Sequence, residues 1–175
     1  MEELEELKQR LEEERPMPWD AFPDIGLYMD QVISYISRQL ITYHQGETLT
    51  PAMVNNYIKD GLLPRAEGKK YNKTHLGYLT AICALKQVLS VRETRDLLQA
   101  GSQGREPEEL YAAFYQELSL AQDCSAEVLD PTLPREELPR LALRLALRGY
   151  ADKLACQRVL ELLAPPQPRP EKKKK

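Results

Sequence analysis

The side chains with the most chemistry to offer lie close together, between positions 55 and 73: Asn55, Asn56, Lys59, Arg65, Lys69, Lys70, Tyr71 and Lys73. None of them is a nucleophile beside a base. They are amides, cations and a phenol, groups suited to surfaces rich in hydrogen-bonding edges and negative charge. A carboxamide can meet adenine with one donor and one acceptor, an ammonium can reach guanine or a phosphate, and Arg and Lys neutralise phosphates. The same residue types also serve plainer ends. Loop lysines commonly face water, neighbouring asparagines on a short helix can be polar surface or a local cap, and Tyr57 and Tyr71 suit packing between helix and loop better than stacking on a ligand.

Charge is distributed unevenly around this group. Residues 50–75 hold five bases and two acids, whereas residues 1–30 hold ten acids and three bases, within a chain of formal net charge -3. The locally basic stretch therefore coincides with the amides and cations, although Asp60 and Glu67 interrupt it. A total charge near neutral says little about partners by itself.

Other chemistry has no footing in the sequence. The only histidines are His44 and His75, and His75 stands beside Thr74 where a helix is expected to begin, a surface or capping position rather than a catalytic one. Cys83, Cys124 and Cys156 are far apart with no CxxC pair, so neither a zinc site nor a disulfide framework is expected, and the thiols suit a reducing compartment. No nucleophile elbow, glycine-rich phosphate loop, metalloprotease helix or paired acidic motif occurs, so no enzyme, cofactor or metal is expected. There is no basic start followed by an apolar leader, and no run of about 18 apolar residues. The reading is a cytoplasmic protein that does not span a membrane.

Several helices must hold the group in place. Leu4, Leu7 and Leu11 give residues 1–15 an amphipathic stripe in an acidic helix that Pro16 and Pro18 end. Residues 24–44 place Ile25, Tyr28, Met29, Val32, Ile33, Ile36, Leu40 and Ile41 at helical period and read as a long core helix. Thr50-Pro51 is a favoured N-cap and first-turn pair, Met53, Val54, Tyr57 and Ile58 follow at helical spacing, and Gly61 is a natural stop, which predicts a helix over 51–60. Pro64, Glu67-Gly68 and the lysines after them suit a short basic hairpin over 64–73. Thr74 is expected to cap a helix running to Val88, and Ser90 with Glu93 forms a capping box opening another towards Gly101.

After a Gly, Ser, Gln and Pro-containing linker, two further helical patterns over 107–123 and 136–163 are expected to pair as a helical hairpin within 107–164. The composition of 165–175, proline-rich and ending in four lysines, predicts a disordered basic tail. No internal repeat is found.

The order of capped helix, Gly-Leu-Leu-Pro turn, basic hairpin closing on an aromatic, helix and Ser-x-x-Glu cap resembles the MerR-type winged helix-turn-helix. The matching residues are Tyr57, Gly61, Leu62, Leu63, Pro64, Lys70, Tyr71, Leu76, Ser90, Glu93, Leu97 and Leu98. The runs Met53 to Pro64 and Ile82 to Val88 are also similar to an uncharacterised bacterial family, domain of unknown function eighteen thirty-six, which carries a MerR-like fold. The resemblance covers about residues 24–100. It departs from the usual MerR pattern in placing Asn55-Asn56 where an Arg stands beside the Tyr, and in its short wing.

The expected protein is mainly α: a MerR-like winged helix-turn-helix with a short β wing over 24–100, plus the helical hairpin. The resemblance implies a transcriptional regulator that binds double-stranded DNA through helix 51–60 and the wing, and the surplus of apolar helical surface over 107–163 suits a homodimer joined there. The alternative is a protein-interaction module on the same scaffold with little affinity for DNA.

Overall fold

The first helix is set by its own charges. α1, Glu2–Glu13, opens on Glu2, Glu3 and Glu5, acids where the helix dipole is positive, and closes with Arg10 bonded to Glu14 at 2.6 Å. The computed structural model describes residues 2–41 and 48–163, and in it α1 lies along α6, Pro107–Ala126, with Leu4, Leu7 and Leu11 half-buried on that side. The Arg15 guanidinium fastens this contact: it donates to the Leu11 carbonyl at 2.5 Å and pairs with Asp123 of α6.

The chain next forms a 3-10 turn, Trp19–Ala21, whose rings meet those of the next layer. Phe22 lies 4.9 Å from Tyr111 and 6.1 Å from Tyr35, and Trp19 lies 6.0 Å from Tyr111, ring centre to ring centre. The Tyr111 hydroxyl donates to the Met17 carbonyl at 2.7 Å, which satisfies its one polar atom in an otherwise apolar site. Such offset and edge contacts suit the ring quadrupoles. They gather around α4, Lys73–Leu85, the most buried helix of the fold, in which Leu76, Leu79 and Ile82 have no exposed surface.

Gly77 of α4 makes that gathering feasible. A Cβ on Gly77 would stand 3.1 Å from both the Trp19 and Tyr111 rings, closer than side chains ordinarily approach. The helix keeps its own hydrogen bonds, and the Thr80 hydroxyl, also fully buried, donates back to the Leu76 carbonyl at 2.9 Å.

α2 is Met29–Ile36, shorter than the helix expected over 24–44. Its start is displaced because the Leu27 amide and carbonyl are both bonded to Tyr71, each at 2.9 Å, in an antiparallel bridge that holds this stretch extended. Ile25 and Tyr28 are consequently exposed rather than in the core, while Val32 and Ile36 are buried as the period requires. The end of that expected helix and His44 lie outside the described residues.

The capping signals are realised closely. In α3, Pro51–Lys59, the Thr50 hydroxyl accepts from the Met53 amide at 3.2 Å, and Gly61 takes φ 75° just beyond the end. In α5, Val91–Ser102, Ser90 and Glu93 cap each other, at 3.2 and 2.8 Å. The cap of α4 is Asn72 instead of Thr74, because His75 at the third helical position completes a reciprocal cap with Asn72. α7 is Leu138–Leu163.

The expected pairing of the last two helices is not how they pack. α6 lies against α1 and α4, and the helix against which α7 lies is α5. Of the expected β wing there are two isolated bridges, Leu27 with Tyr71 and Glu67 with Lys70, and no longer strand among the described residues. The fold is mainly α, as expected, and no helix among the described residues is long and apolar enough to cross a membrane.

Substituting Gly77→Val should force the aromatic layer off α4. We expect the urea midpoint to fall by the equivalent of about 2 kcal/mol with the slope unchanged. An unchanged midpoint would mean that the close approach carries no stability.

Candidate nucleic-acid interface

α3 has two unlike faces. Val54 and Tyr57 are buried and Met53 and Ile58 half-buried, while Ala52, Asn55, Asn56 and Lys59 are exposed together on the other side. This division follows from the 3.6-residue period: positions 52, 55, 56 and 59 fall on one strip of the helix. The helix is anchored at both ends, by the Thr50 cap and by the Tyr57 carbonyl, which accepts from the Leu62 and Leu63 amides at 2.8 and 3.2 Å. The Lys86 ammonium lies 5.3 Å from the centre of the Tyr57 ring and covers the inner side.

The basic segment turns tightly. Gly68 and Lys69 both have positive φ, 54° and 64°, and Glu67 and Lys70 exchange backbone hydrogen bonds at 3.1 and 2.9 Å. Those are the marks of a two-residue type I′ hairpin turn, which glycine accepts freely and lysine only with some strain. Lys69 is thereby held at the exposed tip. Arg65 and Lys70 are also exposed, and the Lys70 ammonium lies 5.7 Å from the centre of the Tyr28 ring. Gly26 lets this side chain lie flat, since a Cβ there would come within 2.9 Å of the Lys70 Cβ.

Two of the expected site residues are engaged elsewhere. Tyr71 is 5% exposed, with its backbone bridged to Leu27 and its ring edge-on to His75, so the phenol is a packing group and not a contact for a ligand. Lys73 is paired with Asp24 at 2.6 Å on the side of the fold where the chain enters α2. The six that remain exposed are Asn55, Asn56, Lys59, Arg65, Lys69 and Lys70. The acids Asp60 and Glu67 are exposed among them.

Arg95 is a neighbour that the sequence does not announce. It lines a cleft of about 370 Å³ together with Arg65, between the Gly61–Pro64 turn and Leu98 of α5. Its place in sequence, thirty residues beyond Arg65 inside a plain amphipathic helix, carries no signal that would join the two.

His75 is buried beneath the hairpin. Its ring nitrogens lie 2.7 Å from the Asn72 Oδ1 and 3.3 Å from the Arg65 carbonyl oxygen. Burial holds its pKa below the ordinary histidine value, against the opposite pull of the Arg65 carbonyl and the Glu67 charge. The three cysteines are half-buried and unpaired by disulfides, and burial pushes the Cys83 thiol up to about 11. Among the described residues, no three His, Cys, Asp or Glu side chains converge as metal ligands would.

Fold and site together define a mainly helical protein that displays a short polar helix next to a basic hairpin turn. The chain belongs to the family described as Domain of unknown function (DUF1836), whose pattern it matches over residues 17–117. No curated protein and no solved structure matches it. The matched stretch takes in α2 to α5 and the first half of α6, and leaves α1 and α7 outside.

Because the folded state disfavours the charged form of His75, the unfolded chain binds more protons below the ordinary histidine pKa. The stability that neutral His75 supports is complete above about pH 6.5 and is lost as pH falls below it. We expect the melting temperature to drop between pH 7.5 and 5.5 in the parent chain, and to drop less in His75→Gln. Equal drops in both would show that other groups account for the acid sensitivity.

Proposed function

We propose that the chain is a DNA-binding protein acting as a transcriptional regulator in the cytoplasm. In this reading residues 24–100 form a MerR-like helix-turn-helix, α3 enters the major groove, and the hairpin over 64–73 stands in the place of a wing on the adjacent backbone. The observation that carries it is the outer face of α3: a rigidly capped helix whose exposed strip is Ala52, Asn55, Asn56 and Lys59. Asparagine can bond adenine N6 and N7 at once, lysine reaches guanine or phosphate, and a short Ala side chain leaves room for a base edge. Arg65, Lys69 and Lys70 supply phosphate contacts, and a homodimer joined through 107–163 would offer two such helices to a two-fold operator. Three free thiols suit a reducing compartment.

A specific observation favours the second reading, a protein-interaction module with little DNA affinity. The long helix α7 carries a row of exposed apolar side chains that the other described residues leave uncovered.

The test is fluorescence-anisotropy titration against a random DNA pool and the upstream region of the gene, over a salt series. Affinity should fall steeply with salt, and Lys69→Glu with Lys70→Glu should weaken binding to every sequence and flatten the log-log salt slope by about 2 per copy. Asn55→Ala should instead reduce the preference between sequences. Lys69→Gly separates charge from fold, since it relieves the positive φ and should raise stability by up to about 1 kcal/mol while weakening binding. Binding that ignores the double charge reversal would remove the hairpin from the interface, and no binding at low salt would leave the interaction module standing.

A further inference from the structure

α7 is unusual among the helices in how little of it is covered. From Ala146 to Ala155 every residue is exposed, and on one strip Leu143, Leu147, Tyr150 and Leu154 are 59%, 56%, 63% and 50% exposed. Their spacing of four, three and four is that of a seam between two helices, and it keeps the four side chains on one line. Leu141, at the start of the helix, is buried on a different face, and Gln157 holds the far end to α5 by donating to Glu93 at 2.9 Å. The described residues therefore fix α7 at its two ends and leave its middle bare.

The strip is also symmetric in sequence. About a point between Arg148 and Gly149, Leu147 mirrors Tyr150, Ala146 mirrors Ala151, and Leu143 mirrors Leu154. A two-fold axis crossing two antiparallel helices brings such mirror positions into contact, and it requires a patch complementary to itself. The alanines flank the middle of the seam, where small side chains let the helices approach. Charge selects the same direction. Residues 138–149 hold Arg140, Arg144 and Arg148 and no acid, whereas residues 151–163 hold Asp152, Lys153, Arg158 and Glu161. Parallel pairing would set three arginines beside three. Antiparallel pairing sets them beside the balanced half, brings Arg140 within a turn of Glu161 of the other copy, and opposes the helix dipoles.

We propose that α7 is the self-association surface of this protein, pairing antiparallel with α7 of a second copy across Leu143, Leu147, Tyr150 and Leu154. This rests on the homodimer reading above and supplies its segment and direction. The chain's own residues 164–175 hold no large apolar side chain with which to cover the strip, and a second copy supplies one of matching length and spacing. The seam runs for about 17 Å, so the dimer is a reversible one, with a dissociation constant on the order of micromolar.

Sedimentation equilibrium of the full chain, without DNA, tests this over about 1 to 300 μM, which brackets that range. The parent chain should move from 20.1 kDa towards twice that mass as concentration rises. Leu147→Glu with Tyr150→Glu should weaken association at least tenfold without changing the melting temperature of the monomer, because both side chains are exposed. Leu147→Glu with Tyr150→Lys should associate more strongly than that variant, since antiparallel pairing sets the new carboxylate of each copy against the new ammonium of the other and parallel pairing does not. A parent chain that stays monomeric throughout overturns the dimer and the seam together. A dimer that survives the double Glu variant overturns the seam and leaves the dimer. Equal weakness of the two double variants overturns the antiparallel direction.

Discussion

The arrangement turns on the close approach of Trp19 and Tyr111 to Gly77. Three stretches of chain separated by dozens of residues meet at that point, namely the turn before α2, the middle of α4 and the first turns of α6. A side chain at position 77 would hold the rings away from α4, and Phe22 and Tyr35, which pack on one another beside Tyr111, would lose their support in turn. With α4 in place, α2 packs on it and α3 packs on α2, and Tyr57 of α3 lies beneath Lys86, at the C-terminal end of α4. The polar outer face of α3 is thus the reverse side of a packing arrangement decided elsewhere.

The basic hairpin depends on a second constraint, the exchange of hydrogen bonds between Leu27 and Tyr71. It ties the hairpin to the segment before α2, brings Asp24 to Lys73 and Tyr28 to Lys70, and removes both lysines from equal footing with Lys69. An exposed ion pair such as Asp24 with Lys73 adds little stability by itself. It lowers the positive charge at the base of the hairpin and leaves the tip the most cationic part.

Local chemistry makes much of this legible in the sequence. Thr50-Pro51, Gly61 and the Ser90 and Glu93 pair mark helix ends through bonds made within three or four residues, and each acts at the position the sequence assigns it. Apolar period likewise picks out Val54 and Tyr57 of α3 and Leu76, Leu79 and Ile82 of α4, but not the buried His75 and Thr80. What stays hidden is set by partners distant in sequence. The start of α2 is fixed by Tyr71, the loss of Lys73 by Asp24, and the place of α6 by α1 and Gly77. A periodic stripe says that a helix has a face to bury, not which surface will bury it, and that is why α6 and α7 read as partners of one another. Tyr71 illustrates the same limit, since a basic hairpin closing on an aromatic looks alike whether the ring points outwards or into the core.

The two helices outside the family match show how differently such faces can be used. α1 spends its leucine stripe on α6 of the same chain, held by Arg15 and Asp123. α7 is held at its far end where Gln157 meets Glu93, and that carboxylate is kept at about pKa 2 by the Ser90 amide and hydroxyl that it caps and by Gln157 itself. The cap that starts α5 therefore also helps to aim α7. α5 in turn lines the Arg65 and Arg95 cleft beside the Gly61 turn, so the direction of α7 and the position of the α3 surface are referred to one rigid element. If α7 pairs two copies as proposed, the two α3 surfaces stand at a separation set through α5, which is what the proposed reading of two half-sites on one duplex requires.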